Sequence, residues 1–201
     1  MSRDRHVRRA FRALDHLARR IASRLRIQWA RLRFPGLTVG RGVTFGRGVQ
    51  ITVLNDARLT IGERTAIEQY CQLRSDGLLQ IGPDGFIGQG SVLIASKQLT
   101  IGDDALIAAY TTIRDQDHGT GAAPYRAQPI NSAPVWIGDN VWLGTGVTVL
   151  KGVSIGDNCI VGAGAVVTRS LPAGVTAVGI PAVQKRSANG KVGRPPRTTS
   201  R

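Results

Sequence analysis

The stretch Ile137–Val167, IGDNVWLGTGVTVLKGVSIGDNCIVGAGAVV, decides how the rest of the chain is read. Ile137, Leu143, Val149, Ile155, Val161 and Val167 recur every sixth residue, and glycine follows four of them, at Gly138, Gly144, Gly156 and Gly162. Four places beyond each anchor stand Val141, Val147, Val153, Cys159, Ala165 and Leu171, each small or aliphatic. A helix cannot use this spacing, because six residues carry it about 240° past a full turn and scatter the apolar set around its surface. A single strand cannot either, because the run is several times longer than ordinary strands. A period of six fits a chain that lays down a flat face, turns a corner and repeats, and fixed-period self-similarity marks a repeat architecture.

Outward from this stretch the same pattern starts at Val39, Phe45 and Ile51, with glycine at Gly40 and Gly46. It resumes at Ile61 and Ile67, at Ile81 and Ile87, and at Ile101 and Ile107, with third faces at Leu73, Leu93 and Ile113. These starts are twenty residues apart, so each of these coils carries about two extra residues, around Ser75-Asp76-Gly77 and Ser96-Lys97-Gln98. From Arg114 to Pro134 the period is lost in a polar stretch with Gly119, Gly121, Pro124 and Pro129, which reads as a loop over 114–134 protruding from one corner. Loops of that length in a compact scaffold are usually functional or disordered. Pro172, Gly174 and Pro181 end the array.

The spacing of aliphatic, glycine, two variable residues, small residue and variable residue resembles the hexapeptide repeat of left-handed parallel β-helix acyltransferases. The segment Pro134 to Gln184 is similar to the C-terminal half of the galactoside, maltose and polysaccharide O-acetyltransferases, closing motif Val178-Gly179-Ile180-Pro181-Ala182 included, and the likeness runs from about Val39 to Lys185. The resemblance implies an all-β left-handed parallel β-helix over residues 37–186, working as a homotrimer with its site between neighbours. It implies acetyl-CoA as donor, a sugar or surface-polysaccharide intermediate as acceptor, and no metal.

The charge of the chain sits at its ends. Of the net +14, residues 1–33 hold eleven arginines against Asp4 and Asp15, and residues 185–201 hold six basic residues and no acid, which leaves the repeat body near neutral. Residues 1–36 read as a basic amphipathic segment: Val7, Phe11, Leu14, Ala18, Ile21, Leu25 and Leu32 recur at helical spacing until Pro35-Gly36 stops the helix. Two roles stay open for it. It packs on the open end of the prism or on a neighbouring subunit, or it lies on anionic lipid headgroups with its arginines outward. Residues 187–201 are too polar to fold and read as a disordered basic tail. No apolar run is long enough to span a bilayer, and arginines interrupt every candidate signal segment, so the cytoplasm is expected, with a peripheral place at the inner face of the membrane as the finer alternative. Cys71 and Cys159 fall at small interior places and read as buried thiols.

His118 is the one histidine outside the N-terminal helix, and it sits where the array breaks into the loop. By resemblance it is the general base: imidazole titrates near neutrality, takes the proton of an acceptor hydroxyl and passes it to the leaving thiolate. Such a base needs its tautomer fixed, and Asp115, Asp117 or a backbone carbonyl are the candidates. Gln89 and Ser91 match the family positions that contact the acceptor, although Ser91 also fits an inward-facing small place. Trp142, Gly144 and Thr145 match the stretch beside the thioester and pantetheine. Gly162, Ala163, Thr168 and Arg169 match its continuation, and Lys185 or Arg186 the contact to the 3′-phosphate. Trp142 equally suits a subunit contact and Arg169 a solvated corner. Two rivals are weighed. A zinc hydratase on the same fold needs three histidines, which the repeat body lacks. A non-catalytic scaffold, binding membrane or nucleic acid through its basic ends, has no use for His118 beside a glycine-lined edge.

Overall fold

The computed structural model describes the backbone of residues 2–185 and side chains from residue 17 onward, so Arg186 and the expected tail over 187–201 lie outside the described residues, as do the side chains of Val7, Phe11 and Leu14. Three parallel sheets form the faces of a prism. The chain visits them in turn, as in Arg58–Ile61 on the first face, Ala66–Ile67 on the second and Gln72–Ser75 on the third. The every-sixth residues point to the axis. Leu59, Ile61, Ile67 and Leu73 are almost wholly buried, and their counterparts in the coils above stack on them in one continuous core. First-face strands add a second inward residue because alternation sends Leu59 and Ile61 to the same side.

The pairings set the period coil by coil. Val39 pairs with Ile61, Ile61 with Ile81, Ile81 with Ile101, Ile101 with Ile137, and Ile137 with Ile155. The last of these steps is the bare hexapeptide coil. The two twenty-residue steps place their extra residues at the corner between the third and first faces, where Ser75 and Ala95 are buried before the chain turns. The first step is longer still, through a wider corner around Asn55.

The step from Ile101 to Ile137 contains the insertion. It is not the irregular loop expected from the sequence. Gln116–His118 pairs antiparallel with Ile130–Ser132, and a single 3-10 turn, Tyr125–Ala127, lies near the tip. Three paired residues per strand are too few to leave an alternation that reading along the chain detects. At the C-terminal end Thr176–Val178 joins the second face, and Val183–Gln184 folds back antiparallel on it after a cis Ile180–Pro181 peptide.

Helix α1, Ser2–Arg33, caps the other end. Edge groups of the first coil are met by its side chains: Phe45 N donates to Ser23 Oγ (2.8 Å), Arg26 donates to Phe45 O (3.1 Å) and Arg31 to Val39 O (2.5 Å). The face that packs is Ser23, Ile27 and Ala30. The stripe singled out by the sequence points away from the prism, with Ala18, Ile21, Leu25 and Leu32 all exposed. Close approach to a strand edge selects small and hydrogen-bonding residues, so the packing face is the less apolar one.

Candidate active site

The arm carrying His118 is fixed at its root. Asp115 is fully buried, and its carboxylate accepts three backbone N–H groups, Ser96 at 2.7 Å, Lys97 at 2.6 Å and Gln98 at 2.7 Å. Its carbonyl accepts the N–H of Ala133 (2.8 Å), which ties the returning strand to the departing one. Ser96 Oγ also meets Gln116 Oε1. Asp117, one residue before His118, faces Lys151, with Nζ 2.5 Å from its carboxylate. Both acids are thus engaged away from the imidazole, which leaves a backbone carbonyl among the candidates named for orienting it. Asp115 is used up inside the corner, and alternation along Gln116–His118 turns Asp117 to the opposite side. His118 itself is exposed and makes no side-chain hydrogen bond among the described residues.

A different edge, between the second and third faces, has the open surface. One backbone hydrogen bond per coil runs up it: Tyr70 N to Arg47 O, Gly90 N to Gln69 O, Tyr110 N to Gln89 O, Gly146 N to Ala109 O, and Gly164 N to Thr145 O, all 2.8–3.0 Å. The donors of this ladder occupy the left-handed region, Tyr70 and Tyr110 included, at φ near 60°. Bulky residues are rare there. Each tyrosine ring lies over a glycine of the coil beneath: a Cβ on Gly48 would stand 2.6 Å from the Tyr70 ring, and one on Gly90 2.7 Å from that of Tyr110. Amides run alongside, with Gln69 Nε2 donating to Gln89 Oε1 (2.8 Å) and Gln89 Nε2 to Tyr110 Oη (2.7 Å).

Above Tyr110 the edge is bare. A Cβ at Gly146 or Gly164 would meet nothing within 4 Å, and Thr145 and Ala163 stand exposed beside them. The glycines named from the sequence are held by packing. A Cβ on Gly144 would come within 2.6 Å of Ala163 N, and one on Gly162 within 2.8 Å of Val178, so both serve coil-to-coil contact. Gly146 and Gly164 were legible as glycines three places after an anchor, where a left-handed corner sits. Trp142 is half-exposed on the second face, in a row with Phe86, Leu106 and Ile160 that are its register neighbours. Thr168 and Arg169 are exposed past Val166–Val167, at the corner between the third and first faces, and Lys185 is exposed beside the last strands. The bare edge is thus separated from Thr168 and Arg169 by the width of the third face.

Gln89 belongs to the edge, half-buried below Tyr110. Ser91 does not: it is fully buried, donating to Ala108 O (3.2 Å) and accepting from Thr111 N (3.3 Å), which removes it from any acceptor. Cys71 and Cys159 are buried free thiols, and burial pushes both above the ordinary thiol range. Among the described residues no three His, Cys, Asp or Glu side chains converge on a metal position.

Residues 134–169 match the family model of the bacterial transferase hexapeptide (six repeats). The chain is 34% identical over 163 residues to the probable acetyltransferase Rv3034c of Mycobacterium tuberculosis, covering 77% of this chain and 54% of that one, so it spans about half the length of that relative. It is 30% identical over 138 residues to the galactoside O-acetyltransferase of Escherichia coli, covering 69% of this chain and 68% of the relative. The solved structure of a galactoside acetyltransferase in complex with coenzyme A superposes with a TM-score of 0.56 at 26% identity, over 82% of this chain and 70% of that one. A six-residue period wound into three parallel faces, matched by the family model and by relatives along most of the prism, places the chain in the hexapeptide-repeat acyltransferase family.

Proposed function

We propose that the protein is an O-acetyltransferase, moving an acetyl group from acetyl-CoA to a hydroxyl of a sugar or a surface-polysaccharide intermediate, with His118 as general base. The observation that carries this reading is one of level. The arm leaves and re-enters between the coils that pair Ile113 with Val149, and the same two coils form the step from Ala109 to Gly146 where the edge turns from tyrosine-covered to bare. An exposed imidazole on a rigid root and an open glycine edge thus occur at one height. The relatives' names support the acetyl donor and the sugar acceptor.

The bare edge beside Thr145, Gly146, Ala163 and Gly164 suits the extended pantetheine arm, which needs close approach to backbone amides and carbonyls. Trp142 would flank the thioester, and Thr168, Arg169, Lys185 and Arg186 are our candidates for the phosphate end. In the transfer, the acceptor oxygen forms a bond to the thioester carbonyl carbon while His118 takes its proton. The tetrahedral adduct then breaks the C–S bond, and the imidazolium returns the proton to the departing thiolate. No acyl-enzyme is needed. Alignment of the two substrates supplies most of the rate, up to about 7–11 kcal/mol in favourable models.

We further propose a homotrimer. Within one chain the imidazole and the bare edge lie on different edges of the prism, so a neighbour's arm must complete the site. The exposed row Phe86, Leu106, Trp142 and Ile160 supports burial against another copy. The acceptor would lie against Gln89 and the tyrosine-covered part of the edge, which leads directly into the donor groove. We propose the cytoplasm as its location, with peripheral contact at the inner face of the membrane as the finer reading. No helix among the described residues is long and apolar enough to cross one. The test is acetyl-CoA itself: at a hundred times its Kd it should stabilise the fold by about 2.7 kcal/mol. No shift in Tm at millimolar acetyl-CoA would refute the donor assignment and leave a scaffold.

A further inference from the structure

The outward face of α1 has no partner among the described residues. Leu17, Ile21, Leu25, Trp29 and Leu32 are each about half to mostly exposed, reaching 85% at Leu32. At 100° per residue they share one stripe, directly opposite the packing face of Ser23, Ile27 and Ala30. Arginines stand on both flanks between these faces, Arg20 and Arg24 on one side and Arg19 and Arg33 on the other, while Arg26 and Arg31 reach back to Phe45 O and Val39 O of the prism. A helix held to a rigid body by its small-residue face, and turned apolar side outward, is built to lie on something.

We infer that α1 docks the protein on an anionic bilayer surface, with the stripe sunk among the acyl chains and the arginines at headgroup level. The charge argues for lipid over a second copy. Self-packing of two such stripes would bring arginine flanks together, whereas an anionic surface attracts both flanks at once. Arginine also reaches outward from a half-sunk helix, stem in the apolar layer and guanidinium among phosphates. Trp29 suits the same boundary, with an apolar ring and an N–H to offer. This deepens the membrane contact named above and stands apart from the acyl-transfer chemistry, because neither His118 nor the bare edge takes part.

The test uses the full chain without acyl-CoA, spun down with vesicles of phosphatidylcholine alone or mixed with phosphatidylglycerol. The protein should pellet with the mixed vesicles and stay in solution with the neutral ones, and high salt should weaken the binding. Leu25→Glu/Trp29→Glu/Leu32→Glu should abolish pelleting while leaving the thermal unfolding curve in place, since all three side chains are exposed. Arg20→Gln/Arg24→Gln should weaken it by about twenty-five-fold, at about fivefold per arginine. His118→Ala should bind as the unaltered chain does, which separates failure here from failure of the catalytic reading. The inference is overturned if the chain ignores anionic vesicles at low salt, or if the triple glutamate variant pellets undiminished. It is equally overturned if that variant lowers the oligomeric mass in lipid-free solution, which would assign the stripe to another copy.

Discussion

Asp115 is fixed inside the corner rather than aimed at His118, and its replacement separates a clamp from an orienting residue cleanly. As a corner clamp, its carboxylate accepts the N–H groups of Ser96, Lys97 and Gln98, and it is shut off from water. Hydrogen bonds to a charged acceptor contribute about 1.5–3 kcal/mol each, and an amide left buried without a partner incurs its own desolvation cost. The three bonds share one acceptor and do not add. At least one such bond's worth is lost, so we expect about 1.5–3 kcal/mol for Asp115→Ala. For a chain of this size that lowers Tm by about 3–12 °C.

Asp115→Asn tests the geometry more finely. It keeps one acceptor oxygen but turns an NH₂ toward backbone N–H groups, so it should lose stability in the same direction by a smaller amount. Thermal unfolding and acetyl-CoA turnover, measured on the same preparations, give the two readouts. A clamp lowers Tm and takes activity down with the arm. A residue that orients His118 would leave Tm within about 2 °C, under one kcal/mol, while turnover falls by orders of magnitude. That second pattern would refute the clamp.

His118→Ala should cost about 10²–10⁴ in turnover with Tm unchanged, since the side chain is exposed and unbonded; activity within a few-fold of the unaltered enzyme would remove the base assignment. Gly164→Leu meets open space but a left-handed backbone, so it should lower stability by about 1–2 kcal/mol and raise KM for acetyl-CoA more than it lowers kcat; an unchanged KM would place the donor elsewhere. Cys71 and Cys159 should resist a thiol reagent in the folded protein and react in urea, and because burial raises both thiols their contribution to stability is present at neutral pH and lost as pH rises past about 8.5. Asp103 is raised first by desolvation and then by Asp139, Asp104 and Asp84, so its folded form holds the proton more readily than the unfolded chain does. Its contribution is favourable below the ordinary carboxylate range, about pH 4, and is lost above the raised value, so Asp103→Asn should lift Tm at pH 7 and not in acid; a fall at pH 7 would refute the argument.

The prism was legible because its core obeys one rule without exception from Ile137 to Val167, and the corners allow little else. The arm was legible only as a gap, since a three-residue ladder has no period to show. Ser91 and Asp115 each had two readings along the chain, and the structure shows what decides between them: the corner amides of Ser96 to Gln98 and Thr111 take those oxygens. The packing side of α1 was hidden because apolar content ranks faces by hydrophobicity, and the strand edge selected Ser23 and Ala30 for close approach. The open glycines were visible in position but not in kind. Their place after the anchor separates Gly146 from Gly144, but nothing along the chain says that Gly146 faces empty space while Gly144 is pressed against Ala163.

The three edges of the prism differ in what they can bear, and the difference follows from the backbone. The edge between the first and second faces is a column of acids in which Asp157 accepts the N–H of Asp139 and Asp139 that of Asp103, until Pro83, with no N–H, breaks the run beneath Asp103. The edge between the second and third faces is filled by tyrosine below and left bare by glycine above. Only the third edge has corners of variable length, so only there can the chain leave and return without disturbing a face. The arm departs at that corner, while Leu99 still pairs with Val135 and Ile113 with Val149 as if it were absent. His118 is therefore mounted on a part whose contents the core does not feel, and Asp115, at the hinge of that mounting, is the residue through which chemistry and stability remain coupled.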